Sequence, residues 1–353
     1  MGFTYEALPM RVSFGAGRCL EVAAELDHLG LARVLVLCTP RQGETVRRIV
    51  DGLGDRSVGV FPGAVMHVPA EVADQASRVA ADLRADGCVA VGGGSTVGLG
   101  KAIALRHGLP AVAVPTTYAG SEMTPVWGLT QDGIKRTGRD SVVLPRSVVY
   151  DPELTISLSA RLSVTSGFNA FAHAAEGLYA PDASPILDLM AEEGARSVFA
   201  ALRPILADPT DLDARSEAMR GAWLCGAVLG ATTMSLHHKL CHVLGGTFGL
   251  PHADTHTVVL PHALAFTLPA APRAAAALGR ALSVPPDEVP LTLQIVSTGL
   301  GAPGSLAELG MPADGITEVV RQVMASPYAS PRPVVAEELT GLLLRALAGD
   351  RPA

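Results

Sequence analysis

Short apolar runs alternate with amphipathic stretches over the first 150 residues of this 353-residue chain. Five Val-rich runs have the length of buried strands and end at or just before Gly, Pro or Thr: residues 11–17, 33–39, 57–61, 88–94 and 110–117. Between them, residues 73–86 and 95–108 have helical spacing. This alternation predicts an α/β fold with a mostly parallel sheet and helices on both faces.

The pattern changes after "SVVYDPELT", residues 147–155, which we interpret as a domain junction. Long Ala- and Leu-rich stretches with helical spacing follow, among them residues 184–206 and 214–240, and few segments there resemble strands. We therefore predict an α/β domain over residues 1–155 and an all-helical domain over residues 156–353.

Composition narrows the class of protein. Hydrophobic residues make up 48% and charged residues 17%, a balance typical of globular domains, and the net charge of −7 argues against nucleic-acid binding. No apolar run reaches the roughly 18 residues of a membrane helix, and the N-terminus lacks the pattern of a secretory signal. The five cysteines are scattered without a C-x-x-C pair, which favours reduced thiols and a cytoplasmic protein.

A glycine-rich turn joins a predicted strand to a predicted helix in "VAVGGGSTVGLGKAIAL". Glycines allow close approach of the backbone to a phosphate, and a helix N-terminus offers N–H groups and a favourable dipole. We expect the turn to bind a dinucleotide pyrophosphate through Gly92, Gly93, Gly94, Ser95 and Thr96. The sequence is neither G-x-G-x-x-G nor a Walker loop, so a plain tight turn is an equal alternative at this point.

Hydroxyl side chains follow the next predicted strand, at the edge where open α/β sheets bind ligands. The segment "VPTTYAGSEMTP" supplies Thr116, Thr117, Tyr118 and Ser121, although Ser121 could simply begin a turn. The second strand leads into Thr39 rather than into an acidic residue that would repel the 2′-phosphate of NADP. We therefore expect both NADH and NADPH to serve as cofactor.

Histidines cluster in the second half of the chain. In "SGFNAFAH", Asn169 and His173 lie one helical turn apart, and "HHKLCHVLGGTFGLPH" contains His238, His242 and His252. Several histidines facing one carboxylate would indicate a divalent-metal site. Each histidine alone could be an ordinary buried residue, but this many on three segments, beside the cofactor motifs, favours a functional site.

Together these segments resemble a known family. The motifs "GGGSTVGLGKAIALRHGLP", "VPTTYAGSEMTPVWGLT", "KRTGRD", "SVTSGFNAFAHAAEGLYAPDA" and "HHKLCHVLGGTFGLPHADTHTVVLPHA" are similar to those of the maleylacetate reductases, a branch of the iron-containing (group III) alcohol dehydrogenase superfamily. The resemblance spans nearly the whole chain. It implies an α/β dinucleotide-binding domain, a helical domain, an active-site cleft between them, and a homodimer. It also implies NAD(P)H-dependent reduction of maleylacetate to 3-oxoadipate in bacterial breakdown of aromatic compounds.

The resemblance also gives the histidines their expected roles. Metal-dependent relatives hold iron or zinc with one Asp and three His, and the matching positions here are Asn169, His173, His238 and His252, while His242 matches a further, non-ligating histidine. A neutral amide leaves the charge of a dication uncompensated, so we expect no metal. Two alternatives stay open: a metal-dependent alcohol or polyol dehydrogenase that tolerates Asn as a ligand, and a non-catalytic NAD-binding subunit.

A dianionic substrate requires cations or strong hydrogen-bond donors in the site. Lys239, which follows His238, suits a substrate carboxylate, although a solvated lysine is nearly as plausible there. Lys135 and Arg136 are the rival cations, and Lys135 is also a candidate for binding the cofactor. We expect His242 or His173 to donate to the enolate or to supply the proton, with Tyr118 as a further donor.

Overall fold

In a computed structural model, the chain divides into two compact units, one of Ala7–Ser157 and one of Leu158–Ala353 with the N-terminal segment up to Glu6. The structure describes residues 3–353 except His67, Asp132 and Gly133. It does not describe the side chains of Ile134 and Lys135. The division lies two residues after the predicted boundary. The N-terminal segment also groups with the helical unit, whereas we assigned it to the α/β domain.

The first unit is built on a six-stranded sheet in the order β1-β8-β5-β4-β2-β3, in which every neighbouring pair is parallel. The strands are β1 Arg11–Phe14, β2 Val34–Leu37, β3 Ser57–Phe61, β4 Gly87–Gly92, β5 Ala111–Pro115 and β8 Ser147–Tyr150, with a separate hairpin of β6 Val126–Gln131 and β7 Ile134–Arg139. The helices are α1 Val22–Leu29, α2 Gly43–Leu53, α3 Ala70–Asp82 and α4 Gly94–His107. The predicted α/β class with a parallel sheet is confirmed.

Three of the eight strands in the described residues were not predicted from the sequence. The segment interpreted as a junction contains β8, which is fully buried and pairs with β1 and β5, so the chain returns to the sheet before it leaves the unit. The four-residue run "SVVY" is too short to be recognised as a strand next to the polar residues that follow it. The antiparallel hairpin β6–β7 was not predicted either, because its first strand is only half-buried and has no continuous apolar run.

The second unit contains nine helices within its described residues: α5 Ala160–Gly177, α6 Pro185–Ala207, α7 Leu212–Ala231, α8 Leu236–Phe248, α9 His252–Thr267, α10 Pro272–Leu282, α11 Val289–Gly299, α12 Ile316–Ala325 and α13 Ala336–Ala348. This confirms the predicted all-helical character. Helix α5 is its centre, since every residue from Ser163 to Gly177 is buried. Among the helices of the described chain, none combines the length and apolar character that a membrane crossing requires.

Helices α6 and α7 cross at glycines. A Cβ atom added to Gly221 of α7 would lie 2.7 Å from the backbone nitrogen of Val198 and 2.9 Å from the carbonyl oxygen of Gly194, both in α6. At Gly194 an added Cβ would lie 2.8 Å from the sulfur of Cys225. Because the obstructing atoms at Gly221 belong to the backbone, a side chain there would push the helices apart.

We therefore expect Gly221→Ala to lower the free energy of unfolding by about 1–3 kcal/mol, the usual cost of overpacking a close contact. The measurement is urea unfolding followed by circular dichroism. Gly246→Ala is the matched control, because Gly246 is an exposed residue of α8 whose added Cβ would meet nothing within 4 Å. That change should raise stability by about 0.5–1 kcal/mol through helix propensity. Equal effects of the two substitutions would contradict the close crossing.

Candidate active site

The predicted glycine turn lies at the carboxyl end of β4, next to the carboxyl end of β2. The chain continues from β2 to the outer strand β3, and from β4 in the opposite direction to β5, so the strand order reverses between β2 and β4. Open α/β sheets bind their ligands at such a switch point. The backbone of Gly92 has φ +153°, a conformation that favours glycine.

Side chains from two neighbouring segments border this turn. A Cβ atom at Gly92 would lie 2.9 Å from Oε1 of Gln42, and one at Gly93 would lie 3.0 Å from the Cγ2 atom of Thr117. Gln42 accepts a hydrogen bond from the backbone of Thr39 (3.3 Å) and donates one to the Thr116 hydroxyl (2.9 Å). The structure therefore brings Thr39, Thr116 and Thr117 to the glycine turn, and the neighbouring side chains leave no space for a Cβ atom at Gly92 and little at Gly93.

Helix α4 begins within the turn, at Gly94, with Ser95 and Thr96 in its first turn. Its N-cap residue, Gly93, has no side chain that could satisfy the first N–H groups. The Thr96 hydroxyl is buried and has no hydrogen-bond partner among the described residues. This combination of N–H groups, dipole and small side chains suits an anionic group such as a pyrophosphate.

Lys101 fixes the segment that follows β5. Its fully buried ammonium donates to the carbonyl oxygens of Ser121 (2.7 Å), Thr124 (2.8 Å) and Val126 (2.7 Å), and to the Thr124 hydroxyl (2.8 Å). Burial lowers the pKa of Lys101 to about 7, against the opposing effect of the Glu122 carboxylate. Ser121 therefore lies on a rigid segment, positioned by a lysine that sequence analysis did not single out.

Tyr118 and Lys135 were also predicted to take part in the site. The Tyr118 side chain is fully buried and its hydroxyl donates to the Thr155 hydroxyl (3.4 Å), and its role as a donor to the substrate stays a prediction. The side chain of Lys135 lies outside the described part of the structure, and its proposed contact with the cofactor therefore stays a prediction.

In the helical unit, three polar side chains occupy one face of the buried helix α5. Asn169, His173 and Glu176 follow one another at intervals of four and three residues, which places them on the same side of the helix. Their exposed fractions are 4%, 3% and 0%. Helix α5 consequently presents an amide, an imidazole and a carboxylate within the interior of the unit.

Helices α8 and α9 add further histidines to this face. The ring of His238 stacks on His173 with 5.1 Å between centroids, and it lies 6.2 Å from His242 and 4.9 Å from His256. His252, the first residue of α9, is exposed and lies 4.3 Å from His256. The predicted residues His173, His238 and His242 thus share one cluster, and His252 joins it through His256.

A hydrogen-bonded pair of histidines lies behind that cluster. The Nε2 atom of His237 is 3.0 Å from Nδ1 of His256, both rings are fully buried, and the Cys241 sulfur lies 3.8 Å from the same Nε2 atom. These three side chains have the types and spacing of metal ligands. Because the two imidazoles already bond to each other, we interpret them as packed residues that support the cluster.

Burial keeps the inner histidines neutral. It lowers the pKa of His173, His237 and His256 well below the ordinary value, and the neighbouring histidines lower these pKa values further. Burial likewise lowers the pKa of His262 to about 4, and this residue is packed in the interior, 2% exposed. The cluster therefore offers uncharged nitrogen atoms at neutral pH.

The Glu176 carboxylate is the negative charge that borders these rings. Its Oε2 atom lies 2.6 Å from Nδ1 of His238 and accepts the backbone N–H of Ser235 (2.8 Å), while its Oε1 atom accepts that of His237 (2.7 Å). Three ring nitrogens of this cluster, Nδ1 of His173, Nε2 of His238 and Nε2 of His256, are buried and have no hydrogen-bond partner among the described residues. These are the atoms that a bound ligand would engage.

Lys239 and His242 converge on one tyrosine that sequence analysis did not identify. The Lys239 ammonium lies 5.3 Å from the centre of the Tyr328 ring, and the Tyr328 hydroxyl lies 3.5 Å from Nδ1 of His242. Burial raises the pKa of Tyr328, and the charge of Glu176 raises it further. Both expected residues are therefore near the histidine cluster, where Lys239 is half-buried rather than fully solvated.

Comparison with known proteins places these features in a family. Residues 9–152 match the model described as iron-containing alcohol dehydrogenase, and residues 163–347 match that of the C-terminal part of the Fe-containing alcohol dehydrogenase family. Maleylacetate reductase of Sphingobium indicum is 55% identical over 100% of the chain and 99% of the relative. The corresponding enzyme of Burkholderia cepacia is 54% identical over 99% of both proteins. The crystal structure of maleylacetate reductase from Agrobacterium tumefaciens superposes with a TM-score of 0.95, at 47% identity and full coverage of both chains.

Proposed function

Because this chain belongs to the iron-containing alcohol dehydrogenase family, in its maleylacetate reductase branch, we propose that it reduces the carbon–carbon double bond of maleylacetate with NADH or NADPH to give 3-oxoadipate. The observation that carries the chemical part of this proposal is Asn169. It supplies a neutral amide on the face of α5 that also carries His173, where a metal site would need a carboxylate.

The proposed substrate needs less activation than a simple ketone. Maleylacetate is a 4-oxo-2-enedioate, so its C2 carbon is already electrophilic through conjugation with the C4 carbonyl. Hydride from the nicotinamide forms the new bond at C2, the electrons of the double bond move to the carbonyl oxygen as an enolate, and a proton then adds at C3. Hydrogen-bond donors stabilise such an enolate without a Lewis acid.

The residues of the cluster fit a divalent metal poorly. Three imidazoles of His173, His238 and His252 with an amide give a donor set without charge, and a buried dication needs compensating anions. The carboxylate of Glu176 already accepts three donors and does not belong to that set. We therefore derive no step through a metal. Of the ring nitrogens without partners, one that carries a proton suits an oxygen atom of the substrate, and one with a lone pair suits a water molecule.

One observation favours a second candidate function. Unpartnered ring nitrogens of His173 and His238 are also what a metal would bind, and the family is named for iron. A metal-dependent alcohol or polyol dehydrogenase that uses Asn169 as a weak ligand is therefore the alternative. It differs from the first proposal in requiring a metal for turnover.

For the cofactor, we propose the turn of Gly92, Gly93 and Gly94 as the pyrophosphate site, with Ser95, Thr96, Thr116, Thr117 and Ser121 contributing polar groups. The support is the start of α4 within the turn, where the N-cap residue Gly93 has no side chain to satisfy the first N–H groups. Thr39 borders the turn through Gln42 and is uncharged. NADH and NADPH should therefore serve with specificity constants within about 1–2 kcal/mol of each other.

For the substrate carboxylates, we propose Lys239 as the cation, with His242 as the donor to the enolate. Both residues contact Tyr328. The Lys239 ammonium makes a cation–π contact with the tyrosine ring, and the His242 imidazole contacts the tyrosine hydroxyl. The homodimer that the resemblance implies and the cytoplasmic location that the cysteines favour stay predictions.

The metal proposal predicts that chelation leaves turnover unchanged. Enzyme dialysed against EDTA should reduce maleylacetate at its original rate, because no step needs a dication. Asn169→Asp should raise the affinity for zinc or iron, measured as bound metal after dialysis, since a carboxylate adds the missing charge.

The control for that gain is the double variant Asn169→Asp with His252→Ala, which should lose the extra metal if the ion binds within the cluster. Loss of wild-type activity on chelation, restored by iron or zinc, would instead establish the metal-dependent alternative.

The cofactor proposal predicts that Thr39→Asp weakens the use of NADPH selectively. The new carboxylate would repel the 2′-phosphate, so kcat/KM for NADPH should fall roughly 10- to 100-fold while that for NADH changes little. Thr39 caps a short 3₁₀ turn, and both Asp and Asn can replace it there. Thr39→Asn is therefore the uncharged control and should keep the original ratio. An equal loss with both cofactors would show that Thr39 is not beside the ribose.

A further inference from the structure

We infer that Glu176 is a positioning residue of this site: its carboxylate holds His238 as the tautomer that carries its proton on Nδ1, and leaves Nε2 as the nitrogen available to the reaction. The geometry of the carboxylate carries this inference. Its consequence for turnover rests on the proposed function.

The hydrogen-bond partners of Glu176 fix its carboxylate as an acceptor. Two of its three partners are the backbone N–H groups of Ser235 and His237, which can only donate. They are the N-cap and the second residue of α8, and the Ser235 side chain makes no capping hydrogen bond. Glu176 therefore caps α8 from another helix, where the helix dipole also favours a negative charge. An ionised carboxylate can only accept, so Nδ1 of His238, at 2.6 Å, must donate.

On the other side of the His238 ring, Nε2 carries a lone pair when the ring is neutral and its proton is on Nδ1. That atom is buried and has no hydrogen-bond partner among the described residues. It can accept a hydrogen bond from a water molecule or from the enol hydroxyl that forms when the enolate oxygen is protonated. Donors to the enolate itself must then come from other groups, such as His242.

An amide in place of the Glu176 carboxylate cannot keep all of these hydrogen bonds. Each oxygen of Glu176 faces a backbone N–H, so either orientation of a glutamine would place its NH₂ group against a donor. If the NH₂ occupied the position of Oε1, it would oppose the N–H of His237. If it occupied that of Oε2, it would oppose the N–H of Ser235 and would force Nδ1 of His238 to accept. The second orientation reverses the tautomer.

The test combines nitrogen NMR with kinetics on the full-length protein. Protein labelled with ¹⁵N-histidine should show a protonated Nδ1 and an unprotonated Nε2 for His238, whose signals are assigned by their loss in His238→Gln. In Glu176→Gln the orientation with NH₂ at the position of Oε2 should give the other tautomer, whereas the orientation with NH₂ at the position of Oε1 should keep the wild-type tautomer, so these signals report which orientation forms. Turnover of maleylacetate should fall roughly 10- to 100-fold in kcat with little change in KM, as for other residues that orient a functional histidine.

Asp151→Asn is the matched control for loss of a buried carboxylate. Asp151 is fully buried and accepts the backbone N–H groups of Gly17, Cys19 and Glu153, but no histidine is among these partners. That variant should lose stability while it keeps kcat and the His238 signals. If Glu176→Gln does not fold, the wild-type spectrum alone decides the tautomer.

Two results would overturn the inference: a proton on Nε2 of His238 in the wild-type protein, or undiminished kcat in folded Glu176→Gln. Failure of the wild-type protein to reduce maleylacetate would instead overturn the proposed function, and the nitrogen signals would still decide the tautomer.

Discussion

A buried carboxylate organises the histidine cluster. Glu176 lies on α5, the helix whose residues from Ser163 onward are all buried, and it accepts donors from the start of α8. Through these contacts α5 determines where α8 begins and how the ring of His238 is turned. The charge of the carboxylate is tolerated there because three donors and a helix N-terminus satisfy it. Without this contact, the start of α8 would lose its cap and Nδ1 of His238 would lose its partner.

Our proposal that turnover needs no metal rests on the neutral amide of Asn169. Burial keeps His173, His237 and His256 neutral, so these imidazoles can exchange hydrogen bonds but add no negative charge to the cluster. Such a site suits chemistry in which the substrate provides its own electron sink. Conjugated enones have that property, whereas an isolated ketone or alcohol depends on an external Lewis acid.

Much of this architecture follows from local sequence. The Val-rich runs predict the buried strands because a parallel sheet buries both faces of its strands, and the long Ala- and Leu-rich stretches predict the helices. Where the local signal was weak, prediction was wrong: β8 is four residues long, and β6 is half-buried along its middle without a continuous apolar run. Pairing with strands remote in sequence decides β8, and pairing with the neighbouring strand β7 decides β6.

The same limit applies to the site. Histidine spacing and the glycine turn identified residues that lie together in the structure, including His173 with His238 and Thr116 with Gly92. The supporting residues Glu176, Gln42 and Lys101 were missed, because their partners are remote in sequence. A lysine within the apolar run "KAIAL" and a glutamate within "HAAEG" were the available signals. Each indicated a buried charge that needed partners, but neither identified them.

The most direct test of the account is the destination of the transferred hydride. Metal-stripped enzyme should be supplied with maleylacetate and with nicotinamide cofactor deuterated at C4, on each face of the ring in turn, and the product analysed by NMR. The account predicts 3-oxoadipate that retains its ketone and carries one deuterium at the carbon derived from C2 of maleylacetate. Deuterium on the carbon of the former ketone, now an alcohol, would contradict it.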